Sequence, residues 1–403
     1  MKNRKYWVWL SLALGVATSA HQRLLPAFDN NIENIYNSSE DELKGLRLSP
    51  RQKSALLDKS TDEAERIIGW CDNNNVKILC YDDERYPDRL RQIPDSPTVL
   101  YYIGTLYKLD DMLCMACVGT RDMTRYGHDA AYAFCHDLAK CGAVVVSGLA
   151  AGIDTACHRA ALDAGGKTVA VLGCRINKVY PMENRPLMVE IARNGLLLTE
   201  YHPFYKTSPM NFPKRNRIIS GLSQATVVFE ADNGSGSLIT ANTAKKQGRA
   251  IYALPGNIGN SGSVGTNQLI SDGAKIVTRV SDIIDEYRYL YPDLGACDFI
   301  YDYSPAHKAK DSFIKTRKTA RTAEDKSEKA PESVTEADPS EIPSDLTGVE
   351  RAIFERLDIS DARSQDYLYI PEYTPNEIMS ALTMLELKGY IEVSAGNKYR
   401  RLK

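Results

Sequence analysis

The chain has 403 residues, of which 43% are hydrophobic and 25% are charged, as in an ordinary globular protein. Its length allows two or three domains. The net charge of −2 and the pI of about 6.4 exclude a protein coated in positive charge, as histones are, but leave room for a local basic groove.

The number and positions of the cysteines indicate the cellular compartment. The nine cysteines are odd in number and scattered, and several lie in apolar runs, among them Cys114, Cys117 and Cys174. This pattern predicts reduced, buried thiols in a cytoplasmic protein. Cys114 and Cys117 have metal-site spacing, but no second pair completes a zinc site. We therefore expect neither a metal nor a cofactor.

The first residues resemble a secretory signal, because basic residues precede an apolar run from Trp7 to Thr18. Trp7 and Trp9 are bulky for such a segment, and the run is too short to span a bilayer. We predict a buried helix here and no membrane partner. Helical patterns continue to about residue 82, so we assign 1–82 to a helical domain.

From Met112 onward, short apolar runs alternate with helical segments. A further strand is expected at Val99–Ile103. The other six predicted strands are Met112–Val118, Ala143–Val146, Thr168–Leu172, Gly195–Thr199, Ala225–Phe229 and Ala250–Leu254. This alternation predicts an α/β fold with a mostly parallel sheet, over residues 83–300.

The C-terminal part divides into two segments. Residues 301–344 are rich in Lys, Glu, Ser, Thr and Pro, which predicts a disordered linker. Residues 345–403 contain a helix near Ile353, a capping box at Thr374–Glu377 and a terminal hairpin. This order is typical of a winged helix, a module that binds DNA or proteins.

Residues at the carboxyl ends of parallel strands are the first candidates for a ligand site. Gly119, Thr120 and Arg121 follow one predicted strand, and Ser147 and Gly148 follow the next. Small residues let a ligand backbone approach, and Arg121 can reach a phosphate.

A second candidate is the stretch from Phe212 to Gly256. Its strand turns at Asn233–Ser237 into a helix, and helix amides at such a start favour anions. The turn residues Ser235, Gly236 and Ser237 are therefore candidate phosphate contacts.

A basic cluster next to an aromatic residue precedes this strand. Bases can stack on the ring while phosphates meet the cations. The members are Phe212, Lys214, Arg215, Asn216 and Arg217.

Asp154 and His158 are four residues apart, and so share one helical face. No nucleophile motif accompanies them, so we interpret Asp154 as a residue near a helix start and His158 as a packed, hydrogen-bonded histidine. Glu230, at a strand end, could hold a ribose hydroxyl or loop amides.

These residues together resemble the DNA-processing protein A (DprA/Smf) family, over about 110–280. The resemblance rests on several signatures in order, and the turn at Arg175 and Asn177 departs from the family pattern. The matching segments are Val118–Arg121, Ser147–Leu162, Lys167–Cys174, Tyr180-Pro181 with Asn184, Phe212–Ser223, Ser235–Ala241 and Pro255-Gly256.

The resemblance implies an extended Rossmann-like fold that binds single-stranded DNA, protects incoming DNA and loads the recombinase RecA in natural transformation. It also implies homodimers and no catalysis. One alternative is a nucleotide phosphoribohydrolase, although Asn233–Ser237 lacks the P-G-G-x-G-T turn of those enzymes. Another is a transcription regulator that acts through its winged helix.

Overall fold

The computed structural model describes residues 3–295, 342–359, 362–364, 368, 370–394 and 398–402. Most of the linker predicted at 301–344 therefore lies outside the described residues. The described chain contains two sheets, one with nine strands and one with three.

The nine-stranded sheet is mostly parallel, as predicted, and only β2 runs antiparallel to its neighbours. Its order is β1-β2-β6-β5-β4-β3-β7-β8-β9. The strands are β1 Lys77–Cys80, β2 Val99–Gly104, β3 Cys114–Val118, β4 Val144–Ser147, β5 Lys167–Val171, β6 Leu196–Thr199, β7 Ala225–Val228, β8 Ala250–Ala253 and β9 Lys275–Ile276. The seven predicted strands are confirmed; β1 and β9 were not predicted.

In the described residues six α-helices precede the sheet, seven more connect its strands, and one follows its last strand. The first group is α1 Arg4–Leu14, α2 His21–Ala27, α3 Ile32–Tyr36, α4 Glu40–Leu43, α5 Pro50–Leu57 and α6 Asp62–Asn73. The second group is α7 Asp88–Arg91, α8 Arg125–Lys140, α9 Ile153–Asp163, α10 Arg185–Asn194, α11 Asn211–Gly221, α12 Gly236–Lys246, α13 Ser261–Ser271 and α14 Ser281–Tyr287.

The strand order reverses at β3. The chain builds β4, β5 and β6 on one side of β3 and then returns to place β7, β8 and β9 on the other. The loops after β3 and β7 therefore diverge at the carboxyl edge, where α/β sheets bind their ligands. Thr120 N donates to Glu230 O at 2.8 Å and joins these two loops.

The predicted buried N-terminal helix is confirmed. Trp7 and Trp9 of α1 are 2% and 4% exposed, and they share a hydrophobic cluster with Ala170 and Leu197 of the sheet. Within the described residues, no helix is both long enough and apolar enough to cross a bilayer.

The thiol prediction is confirmed for seven cysteines of the described residues, which are free and buried. It is wrong for Cys141, which is disulfide-bonded.

The C-terminal segment has the elements of a winged helix in its described parts. Helix α15 spans Gly348–Phe354 and helix α16 spans Pro375–Leu387, followed by the hairpin of β11 Ile391–Ser394 and β12 Lys398–Arg401; β10 Arg363–Ser364 completes the small sheet. The capping box at Thr374 and Glu377 forms as predicted.

Candidate nucleic-acid interface

The loop that carries Arg121 is fixed by its neighbours. Ile153 N donates to Thr120 O at 3.2 Å. A Cβ on Gly119 would lie 2.5 Å from the Ile153 side chain, so only glycine fits the packing there. The loop is thus held between the end of β7 and the start of α9, while the side chain of Arg121 is exposed.

Phe212 lies beside Arg121, at the start of α11. The Arg121 guanidinium carbon is 6.0 Å from the centre of the Phe212 ring, within the range of a cation–π contact. The Tyr180 ring lies 4.9 Å from the Phe212 ring at an angle of 44° and is 46% exposed. We call Arg121, Tyr180 and Phe212 the edge cluster, because it combines one cation with two aromatic rings at the carboxyl edge.

Gly173 provides the space for the Phe212 ring. A Cβ at Gly173 would lie 2.5 Å from Phe212 Cδ1, so the absence of a side chain at the end of β5 lets the ring rest on the backbone. The position of the ring is therefore set by the sheet, and a flexible loop is not needed to present it.

Helix α11 divides the predicted basic cluster. At 100° per residue, Lys214 and Arg217 lie on a different side of the helix from Phe212 and Asn216. The cluster is therefore not one continuous basic surface, and its members have separate environments.

Arg215 lies inside the protein, with 4% of its surface exposed. Its guanidinium donates to Gly148 O at 2.7 Å and to Val171 O, and a Cβ on Gly148 would collide with it. Burial lowers the pKa of Arg215, while Asp154 opposes that shift. Arg215 ties α11 to the ends of β4 and β5, and its role as a DNA ligand stays a prediction.

Arg217 is also buried, at 4% exposure. Its Nη2 lies 2.7 Å from both carboxylate oxygens of Glu200, and its Nε is 3.3 Å from Asp95 Oδ2. The guanidinium is thus paired with two carboxylates. A phosphate contact through Arg217 stays a prediction that this arrangement does not favour.

Lys214 and Asn216 retain access to solvent. Lys214 is exposed and lines a cavity of about 510 Å³ between the N-terminal helices and the sheet, together with Arg51, His202 and Tyr205. Asn216 is half-buried, and its Oδ1 accepts a hydrogen bond from Arg215 Nε at 3.2 Å.

Ser147 and Gly148 support the edge from below. Ser147 is fully buried and donates to Cys117 O at 2.7 Å. Gly148 N donates to Oδ2 of Asp154 at 3.1 Å. Asp154 lies in the first turn of α9. Burial raises the pKa of Asp154, whereas Arg215 and the backbone amides lower it.

His158 is packed and hydrogen-bonded, as predicted. It is fully buried, and its Nε2 accepts from Leu149 N at 3.3 Å. Nδ1 must then carry the proton and donates to Thr168 Oγ1 at 2.7 Å. Burial, assisted by Arg215, lowers the pKa of His158 to about 3, so the ring is neutral and structural.

The predicted turn at Ser235–Ser237 forms the start of α12. Ser235 Oγ accepts from Ser237 N at 3.3 Å and caps the helix. Gly236 is exposed whereas Ser237 is 5% exposed. The first-turn amides therefore lie at the carboxyl end of β7, and a ligand can approach them across Gly236.

Glu230 lies in a narrow slot at the end of β7. It is 2% exposed, and its Oε2 accepts from Thr124 N at 2.8 Å. A Cβ on either Gly127 or Gly262 would collide with its carboxylate. The Glu230 carboxylate therefore holds the loop amide of Thr124, which fits one of the two roles left open by the sequence.

Tyr180 is the site residue that sequence analysis missed. It was noted only as part of a signature with Pro181, although an aromatic residue after a strand and close to a basic stretch is a usable signal. Met182 and Met210 are 45% and 65% exposed, and they add apolar surface to the segments on either side of the edge cluster.

The described residues contain no group of three or more metal-ligating side chains. The fold and its edge define a class: α/β proteins of Rossmann type with an exposed aromatic and cationic surface at the switch point. The model of the DNA recombination-mediator protein A family matches residues 77–288, which is more than half of the chain. The chain belongs to this family.

The chain is also similar to individual proteins. Protein Smf of Escherichia coli is 38% identical over 248 residues, which cover 61% of this chain and 66% of that protein. The X-ray structure of DNA processing protein A from Streptococcus pneumoniae is 33% identical, with a TM-score of 0.60, and covers 70% of this chain and 97% of that one. A structure of the Helicobacter pylori protein, described for its single-stranded DNA binding mode, is 32% identical, with a TM-score of 0.49, over 55% of this chain and 97% of that one.

Proposed function

We propose that this protein binds single-stranded DNA along the carboxyl edge of its sheet, protects incoming DNA and hands it to a recombinase of the RecA type. The family is one of recombination mediators, and processing proteins of this kind serve natural transformation and recombination. The observation that carries the proposal is the edge cluster, in which Arg121 and Tyr180 both lie against Phe212.

The chemistry of the edge cluster suits a single strand better than a duplex. Tyr180 is 46% exposed and offers a ring on which an unpaired base can stack, which is worth roughly 1–3 kcal/mol per base. In a duplex the bases are stacked on each other and cannot reach the ring. Arg121 is placed to meet the phosphate beside the stacked base, so binding tolerates any sequence.

Two further groups extend the proposed path. The positive end of the α12 dipole favours a phosphate next to the exposed Gly236, and Lys214 adds a cation on the far side of α11. In our proposal Arg215 and Arg217 act indirectly, since they hold α11 and the loops in place. Asn216 lies close enough to Phe212 in sequence to contact the same nucleotide.

We propose this role without a chemical step. Asp154 and His158 are the pair that acid–base catalysis would use, and both are buried and bonded to protein groups. The phosphoribohydrolase alternative is not favoured, because the family assignment and the Asn233–Ser237 turn both argue against it.

We further propose a cytoplasmic homodimer with four segments: a helical domain at 1–82, a Rossmann-like domain at 83–300, a linker at 301–344 and a winged helix at 345–403. The last residues of the first segment, Lys77–Cys80, form strand β1 of the sheet. Light scattering coupled to size exclusion would test the dimer, since a monomer at all concentrations would contradict it.

Fluorescence anisotropy with a labelled oligonucleotide tests the binding proposal. Single-stranded DNA should bind more tightly than duplex, and log K should fall with log[salt] by about 0.7 for each phosphate contacted. Recombinase filaments should then assemble faster on strands that carry this protein. Tighter duplex binding, or no binding at low salt, would refute the proposal.

A matched pair of variants tests the site. Arg121→Ala should weaken single-strand binding for all sequences. It should also reduce the slope of log K against log[salt] by about 0.7, the contribution of one phosphate contact. Lys246→Ala removes the same charge from the last residue of α12, at the opposite end from Gly236. This variant should change neither the affinity for single strands nor its salt dependence. Equal losses in both variants would mean that charge alone, and not the edge cluster, drives binding.

A further inference from the structure

Helix α16 lacks a solvated face over its C-terminal half. Residues 381–387 are all buried. On one side, Leu382 and Leu385 pack in the core of the C-terminal module with Phe354. On the other side, Met384 and Leu387 join the hydrophobic cluster of the N-terminal helices and the sheet. The module is therefore packed against the rest of the chain through this helix.

The helix concerned is the one that directly precedes the hairpin. In a DNA-binding module of the helix-turn-helix type, the corresponding helix enters the major groove and carries the side chains that contact bases and phosphates. Helix α16 has no lysine or arginine from Pro375 to Leu387, but it has two glutamates. Its charge opposes a phosphate backbone, and the packing of residues 381–387 covers its C-terminal half.

A buried ion pair lies at the centre of this contact. Arg185, the first residue of α10, pairs through Nε with Glu386. Its Nη1 donates to Tyr399 Oη at 3.1 Å, and its Nη2 donates to Leu382 O at 3.1 Å. Arg185 is 5% exposed and Glu386 is 7% exposed. Each charge would be unpaired in an apolar setting if the partner were lost.

Polar contacts surround the ion pair. Asn177 Nδ2 donates to Ser380 Oγ at 2.7 Å, and Asn177 is the residue whose turn departs from the family pattern. Lys388 Nζ lies 3.0 Å from Glu350 Oε2 within the module and 3.5 Å from Asn73 O at the end of α6. The module thus contacts both the N-terminal helices and the sheet domain.

We propose that α16 is a docking helix and not a DNA-reading helix. Its binding site is formed by α10 and the turn at Asn177, and the Arg185–Glu386 pair fixes its register. This surface fits a helix that carries a glutamate between a methionine and a leucine. The helix that binds there is the chain's own α16, through Met384, Glu386 and Leu387. In this proposal the C-terminal module contacts protein through α16, which argues against the regulator alternative.

Charge reversal in the full-length chain tests this proposal. Arg185→Glu and Glu386→Arg should each undock the module, which would raise the radius of gyration in small-angle scattering and speed amide exchange in α10. The double reversal should restore both values. Lys178→Glu, an exposed reversal in the neighbouring turn, is the control and should leave both values unchanged.

A second variant covers the case in which reversal at these buried sites unfolds the chain. Ser380→Arg lies at the edge of the contact, is only half-buried, and should undock the module without disturbing either core. Unchanged scattering and exchange in these variants would overturn the docking role.

Fluorescence anisotropy of labelled duplex DNA with the undocked variants distinguishes a docking helix from a DNA-reading helix. The proposal predicts no gain in duplex affinity on undocking. A gain of about 10-fold or more, the scale of a single good base contact, would show that α16 is a covered DNA-reading helix and would overturn the assignment.

Discussion

Replacing Arg217 separates a structural role from a DNA-binding one. Arg217→Ala removes the cation that faces Glu200, a carboxylate whose side chain is 9% exposed. After the change, Glu200 keeps one weak contact, from Ala17 N at 3.4 Å. The variant therefore has a buried, nearly unpaired carboxylate between α11 and the end of β6.

The expected loss is large. Breaking a buried ion pair by removing one partner costs about 3–5 kcal/mol. With roughly 2–4 °C for each kcal/mol in a domain of this size, the melting temperature should fall by about 6–20 °C.

The loss should depend on pH. Burial already raises the pKa of Glu200, and Arg217 opposes that shift, so the pKa of Glu200 should rise further in the variant. Between the ordinary carboxyl pKa of 4.5 and the raised one, the native carboxyl binds a proton that the unfolded chain has released. Stability therefore falls as pH rises through this window, and the penalty is largest at neutral pH and small in acid.

Thermal melts of both proteins at acidic and neutral pH measure this effect. Lys214→Ala is the matched control, because Lys214 lies one turn earlier on the same helix and is exposed. The control should melt like the wild type and bind single strands more weakly. An Arg217→Ala protein that melts normally at neutral pH but no longer binds single strands would refute this reasoning.

Other expected outcomes concern the edge cluster and the histidines. Phe212→Ala should weaken single-strand binding by about 1–3 kcal/mol in anisotropy and leave the weaker duplex binding unchanged. Gly173→Ala should weaken it in the same assay, because the new Cβ, 2.5 Å from the ring, displaces Phe212; unchanged affinity would contradict this packing. Melts should show stability falling as pH drops below 6.5, because burial lowers the pKa of His158 to about 3 and those of His21 and His202 to about 4, so that the unfolded chain binds more protons. A melting temperature that is flat down to pH 4 would contradict buried neutral histidines.

The sequence was sufficient for most of the sheet because strands buried on both faces are continuous apolar runs. It was not sufficient at the two edges. Strand β1 is a four-residue run that three residues separate from α6, and β9 has only two residues, both exposed. Neither strand is long enough to show the alternation of apolar and polar residues that marks a strand. Each is fixed by pairing with its neighbour.

The candidate site was predictable in its location but not in its details. The glycines after the strands lie at the carboxyl edge, as the sequence indicated, and their role in DNA binding stays a prediction. The burial of Arg215 could not be predicted, because its acceptors, Gly148 O and Val171 O, are distant in sequence. The same holds for Arg217, whose partner Glu200 precedes it by 17 residues and has no sequence signal that marks it as a partner.

Photo-cross-linking of a single-stranded oligonucleotide carrying 5-iododeoxyuridine, followed by peptide mapping, tests the proposed binding site most directly. Cross-links should map to Tyr180 and Phe212, and an excess of unlabelled single strand should remove them while the same excess of duplex does not. Cross-links confined to the hairpin of β11 and β12, with none at the edge cluster, would contradict the proposed path of the strand.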